Sequence, residues 1–163
     1  MPTLHPRAAE LITQLSLSPH PEGGFYREIY RSELRVDPLD GRPSRSALTV
    51  IHFLLTQGAF SRWHRVAADE LWQYVEGDGL DLFVCDRDFR QVIRRRVAAA
   101  PIADVTGIVP AGAWQAARCP GEYCLVTCSV SPGFDFADFC LLTDQPEWSE
   151  RFRQLQPDWH EFV

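Results

Sequence analysis

Lysine does not occur in this chain: all 16 basic side chains among its 163 residues are arginine. Schiff-base chemistry and a catalytic lysine are therefore excluded, and any contact to an anion falls to guanidinium forks. The chain also lacks a CxxC pair. Its five cysteines, Cys85, Cys119, Cys124, Cys128 and Cys140, are odd in number and lie in apolar company. That usage predicts buried, reduced thiols and a cytoplasmic location. No apolar run approaches the ~20 residues that span a bilayer. The opening MPTLHPRAAELI lacks the basic start, apolar run and small-residue cleavage site of a secretory signal, so no membrane partner is expected. Excess positive charge is missing too. The net charge is −6, which argues against a nucleic-acid partner. The run Arg94-Arg95-Arg96 has no interleaved aromatics and reads as a solvated edge.

What is present is apolar alternation. Hydrophobic residues make up 45% and charged residues 23% of the chain, ordinary for a globular domain able to bury a substantial core. Ala8, Leu11, Ile12 and Leu15 recur at helical spacing, so residues 6–16 read as a short amphipathic helix, ended by Ser18-Pro19. From there the signal is β. Strands are expected near 24–32, 46–55, 60–66, 70–76, 80–86, 91–97, 106–109, 113–118 and 123–131, separated by turns such as EGDG and VPAG. After residue 131 the pattern turns helical, over 134–156. Many short strands with regular turns predict a single mainly all-β domain, 1–163, of sandwich or jelly-roll barrel type, with a barrel over 24–131.

The stretch GAFSRWHRVAADELWQYVEG, 58–77, carries the chemistry. Strict alternation puts Arg62, His64 and Val66 on one face, and Glu70, Trp72 and Tyr74 on one face of the next strand. Antiparallel pairing can then bring His64 and Glu70 together inside the barrel, as an acid/base pair or as metal ligands. Tyr74 is the first candidate for a partner acid and Tyr26 the second. Arg27, Arg62 and Arg118 are candidate anion forks. Trp63, Trp72 and Trp114 could line a pocket with aromatic faces, or simply pack the core. In HPEGGFYREIYRS, 20–32, Gly23-Gly24 predict a positive φ or a close backbone approach. Alternation then sets Phe25, Arg27, Ile29 and Arg31 on one face and Tyr26, Glu28 and Tyr30 on the other. Which face looks inward decides whether Tyr26 and Glu28, or Arg27, join the site. His52, in an apolar strand, reads as a wall residue.

The spacing of Gly58, His64, Glu70 and Gly77 resembles the first motif of the cupin superfamily, G-x5-H-x-H-x3-E-x6-G, with Val66 in place of the second histidine. The second cupin motif, P-x-G-x2-H, is matched by Pro110, Gly112 and Gln115, with glutamine in place of histidine. HPEGGFYRE, IHFLLT, FSRWHRV, DELW, VPAGAWQ and SPGFDFADF together resemble one cupin family, long described as a domain of unknown function and sometimes labelled predicted sugar epimerase. The resemblance implies a double-stranded β-helix, a small-molecule ligand and a homodimer. It implies either a metal-independent isomerase or epimerase on a sugar-like or carbonyl substrate, or a non-catalytic binding cupin. The catalytic set would be His64, Glu70 and Tyr74. The substrate contacts would be Tyr26, Arg27, Glu28, Arg62, Trp72, Trp114 and Gln115. No cofactor is the first expectation. A divalent metal on His64, Glu70 and Gln115 is the alternative, weakened because two imidazoles are lost.

Overall fold

Period-2 runs form strands here because alternate side chains can be buried in one barrel interior while their neighbours face outward. The computed structural model of the chain describes residues 4–163. A helix α1, Pro6–Gln14, precedes thirteen strands: β1 Ser18–Pro19, β2 Phe25–Arg31, β3 Arg35–Val36, β4 Arg45–Ser46, β5 Thr49–Thr56, β6 Phe60–Val66 and β7 Asp69–Gly77, then β8 Leu80–Cys85, β9 Val92–Val97, β10 Thr106–Val109, β11 Trp114–Arg118, β12 Tyr123–Ser131 and β13 Phe139–Leu141. Helix α2, Pro146–Leu155, follows. One sheet has the order β1-β2-β5-β12-β7-β10 and the other β13-β6-β11-β8-β9, while β3 and β4 form a separate hairpin. The main strand pairs are antiparallel, and the two sheets face each other as a β-barrel of jelly-roll type.

The barrel interior is filled by Phe53, Leu55, Trp72, Leu80, Leu82, Val97, Val109 and Val126. Each large side chain removed from water contributes about 1.5–3 kcal/mol. Helix α1 lays Ala8 and Leu11 on Leu54 and Leu125 of the six-stranded sheet's outer face. The C-terminal elements cover the outer face of the other sheet, seating Phe152 and Phe162 against Trp63, Phe83, Phe89 and Trp114. The expected helical stretch 134–156 is therefore only partly helical. Its first half is a 3-10 turn at Phe136–Asp138, strand β13 and a second 3-10 turn at Leu142–Asp144. Strand β13 forms because its backbone pairs with the open edge of β6, Leu141 facing His64. Tertiary pairing overrides the helical reading of this segment.

Of three β-bulges, the two in β6 and β2 reset the faces that alternation assigns around the cavity; the third lies in β7, between Tyr74 and Glu76. In β6, Gln115 pairs with His64 but Ala117 pairs with Ser61, so β6 carries an extra residue there. Ser61 and His64 thus share the inward face, and Arg62 is turned away. In β2, Glu28 pairs with Ile51 and Tyr30 with Val50. Tyr26, Glu28 and, past the bulge, Arg31 point inward, while Arg27 stays opposite His52. The turn leading into β2 needs Gly23: its φ is +112°, and a Cβ there would collide with the Phe60 carbonyl. That close approach docks HPEGG onto β6.

Candidate functional site

A cavity of about 580 Å³ opens at one end of the barrel, lined by Ser16, Ser18, His20, Glu22, Tyr26, Arg27, Glu28, Arg31, Ile51, His64, Val66, Glu70, Cys128 and Phe134–Phe136. Its floor is His64, 1% exposed, between two buried carboxyl groups, Glu22 and Glu70. The His64 ring nitrogen Nδ1 is 2.7 Å from the Arg62 carbonyl oxygen. A carbonyl only accepts, so Nδ1 carries the proton and donates it. Nε2 is left as an acceptor, 3.1 Å from Oε2 of Glu22. The other Glu22 oxygen accepts from the Ser61 hydroxyl at 2.8 Å.

Protonation follows from this geometry. Burial pushes the Glu22 carboxyl up to about 8, against a smaller opposing effect of the Ser61 hydrogen bond. A protonated Glu22 donates to His64 Nε2, and the imidazole is neutral, its own pKa lowered by burial. Burial likewise raises Glu70 to about 7, with the nearby His64 pulling the other way and Glu22 adding to the rise. His20 is lowered to about 4 by burial and by His64. It accepts the Glu22 backbone N–H at 3.2 Å, as a neutral ring must. Near pH 7 the floor thus holds two neutral imidazoles, a protonated Glu22 and a Glu70 close to its midpoint.

Glu70 is fixed from behind. Its Oε2 accepts from the Gln115 amide nitrogen at 2.6 Å, and Gln115 Oε1 accepts the Trp72 indole N–H at 2.9 Å. The rim is held by Glu28, which takes both forks of Arg31 at 2.9 and 2.7 Å. Arg31 also donates to the Phe134 carbonyl at 3.2 Å. An aromatic wall of His20, Tyr26, Phe134 and Phe136 completes the mouth, with Tyr26 edge-on to His20 at 4.5 Å between centroids.

Of the residues proposed from sequence, His64, Glu70, Tyr26, Glu28 and Arg27 line the cavity. Arg27 does so at the rim, donating to the Leu15 carbonyl at 3.2 Å. Gln115 stands directly behind the floor. Others are elsewhere. Tyr74 donates its hydroxyl to the Gly77 carbonyl at 2.9 Å and packs into the barrel core, outside the cavity lining. Arg62, rotated by the bulge, bonds the Pro21 carbonyl. Trp72 is core and Trp114 lies beneath the C-terminal helix, so neither presents a face to the cavity. Trp63 is likewise packed under Phe152. Arg118 contacts Asp81 and Glu161. His64 and Glu70 share the floor without a hydrogen bond between them, because the His64 ring nitrogens are taken by the Arg62 carbonyl and by Glu22. Glu22, His20 and Arg31 lie in the HPEGGFYREIYRS segment singled out from sequence but were not assigned to the site, and Ser61 was not considered. Glu22 carried one usable signal, a carboxylate one residue before the Gly pair that docks on β6.

The donor set does not fit the three-histidine, one-carboxylate metal site. Val66 has no donor atom, and the Gln115 amide is committed on both sides, its oxygen to Trp72 and its nitrogen to Glu70. Among the described residues no three His, Cys, Asp or Glu side chains converge as a metal-binding group. All five cysteines are unbridged and four are buried, with burial pushing Cys124 up to about 12. Among the described residues no helix is long and apolar enough to cross a membrane.

Comparison with known proteins agrees with this architecture. A hypothetical protein from Leishmania major is 34% identical and superposes with a TM-score of 0.83, covering 96% of both chains. A Shewanella oneidensis protein solved by X-ray crystallography is 32% identical with a TM-score of 0.80, covering 96% of this chain and 94% of its own. Oxalate decarboxylase from Bacillus subtilis shares the fold at 18% identity and a TM-score of 0.59, over 83% of this chain and 33% of that one. No curated protein matches the sequence. The family described as "Cupin superfamily (DUF985)" matches residues 9–142. The chain belongs to this family of the cupin superfamily.

Proposed function

We propose that the barrel cavity binds a small carbonyl-bearing, sugar-like molecule and moves a proton at the carbon next to its carbonyl, as an isomerase or epimerase does, without a metal. The carrying observation is the buried Glu22–His64 pair at 3.1 Å, with Glu70 as a second carboxyl on the same floor. Proton transfer at carbon needs a base and an acid whose pKa values lie near the working pH. His64 with Glu22 supplies the base: substrate entry frees Nε2 when the Glu22 proton turns to a substrate oxygen. Glu70, at about 7, supplies the returning proton. Tyr26, on the cavity wall, is the remaining phenol in reach. Phe134 and Phe136 offer apolar faces for the C–H side of a sugar ring.

The test is solvent-deuterium incorporation, followed by NMR in D2O, across a panel of aldoses, ketoses, uronic acids and 2-keto acids. At least one compound exchanges with the native protein, and His64→Ala lowers that rate by 100-fold or more. Exchange that survives His64→Ala refutes the assignment. Saturable binding with no exchange in the whole panel favours a binding cupin instead.

A homodimer is part of the same proposal. Ile29, Tyr30, Val75 and Ile108 are 46–57% exposed on strands of the six-stranded sheet, and its edges invite pairing. Light scattering on a sizing column gives the mass directly.

A further inference from the structure

A second cavity, of about 470 Å³, lies on the other side of the segment that walls the first. Residues 134–136 line the first cavity, and Ala137, Asp138, Phe139 and Cys140 line the second, together with Asp40, Arg42, Arg65, Arg87, Ala111 and Gly112. Its charges are unequal. Arg42 spends its guanidinium on Asp40 and Asp138, at 2.9 Å each. Asp138 also takes both forks of Arg45 at 2.9 Å. These two carboxylates are therefore fully engaged. Arg65 and Arg87 are not: among the described residues neither has a carboxylate partner. Arg87 makes one long contact, 3.4 Å to the Ala111 carbonyl, and its fork lies over Gly112, where a Cβ would collide with it.

Arg65 is held without being neutralised. Its guanidinium carbon sits 4.3 Å from the Trp148 ring centroid and 5.2 Å from that of Trp114. The two indoles meet at 90°. Stacking against indole faces orients a guanidinium but leaves its in-plane N–H donors unspent. A half-buried, pre-oriented cation with free donors is costly unless something accepts from it. The net charge of the chain is −6, so uncompensated positive charge here is a local arrangement and not a general surface property.

We propose that this second cavity is an anion site, in which Arg65 and Arg87 bind the phosphate or a comparable oxyanion of a small metabolite. Planar forks suit an oxyanion with two or more accepting oxygens. The site is separate from the Glu22–His64 floor and stands whether or not that floor is catalytic.

The probe is inorganic phosphate, titrated into the full chain at constant ionic strength set with sodium chloride. Because Arg65 lies between Trp114 and Trp148, tryptophan emission reads occupancy. A saturable change is expected, weakened about tenfold or more in Arg65→Gln and in Arg87→Gln, and unaltered in Arg27→Gln at the rim of the first cavity. Arg87 is exposed, so Arg87→Gln decides the matter if Arg65→Gln fails to fold by circular dichroism. No saturable change beyond the chloride control overturns the proposal. So does binding that survives Arg87→Gln, or binding that Arg27→Gln weakens as much.

Discussion

Replacing Glu22 by Gln isolates the cost of keeping a carboxyl inside the barrel. Glutamine is the neutral isostere of the protonated acid: its oxygen can accept from Ser61 and its amide can donate to His64 Nε2, so the hydrogen bonds of the native floor persist. What disappears is ionisation. In the unfolded chain Glu22 loses its proton around 4.5, whereas in the folded barrel it holds it to about 8. Between those values the unfolded state binds fewer protons, so native stability falls as pH rises; below 4.5 there is no penalty, and above 8 it is constant. At pH 7 the penalty amounts to about 3 kcal/mol, and by pH 9 to about 5 kcal/mol. For a domain of this size 3 kcal/mol corresponds to about 6–12 °C in Tm. Urea denaturation or thermal scans from pH 4 to 9 should show the two proteins alike near pH 4. The variant should become progressively more stable above pH 5. Glu70, at about 7, contributes a slope of the same sign to both proteins. Parallel pH profiles for native and variant protein would refute the assignment of a proton to Glu22 in the folded state.

Two further outcomes follow from the polar network. Asp138→Asn leaves Arg45 facing a single amide oxygen at a nearly closed site, and should cost about 3 kcal/mol at pH 7 in urea unfolding. Asp138 is held below its usual value of 3.8 by Arg45, so its contribution is present above that value and lost in acid. The difference between the proteins should therefore shrink below pH 4. Trp72→Phe removes the donor to Gln115 Oε1 and should cost about 2 kcal/mol through an unsatisfied buried amide. A freed Gln115 also raises the pKa of Glu70, measurable by carboxyl-carbon NMR.

The strands from β5 to β12 were legible because their buried partners recur with period 2, and the turns between them carry Gly, Pro and Asp. The shortest strands were not. Strand β13 exists only because β6 offers it an edge, and spacing among Phe134, Phe136 and Phe139 says nothing about that edge. For the site, the histidine and carboxylate spacing brought His64 and Glu70 to one floor. Two extra residues, one in each of two strands, decided the rest. Alternation in β6 promised Arg62 beside His64, and the bulge delivered Ser61. Alternation in β2 separated Arg31 from Glu28, and the bulge joined them. Bulges leave no mark in a single sequence, since the added residue differs from its neighbours in pairing and not in type. Glu22 was hidden for another reason: its proximity to His64 is long-range, set by a glycine docking onto the Phe60 backbone.

The Trp72–Gln115–Glu70 chain has a direction. An indole can only donate, so it fixes which end of the Gln115 amide points towards it and leaves the –NH2 end facing Glu70. Glu70 Oε2 therefore meets a donor whether or not the carboxyl is ionised, and a proton placed on that oxygen would confront another hydrogen. When Glu70 is neutral its proton belongs on Oε1. Glutamine in place of the usual histidine of the second cupin motif thus makes Glu70 a one-sided acid: Oε2 is occupied by the Gln115 amide, and a proton is gained or lost at Oε1.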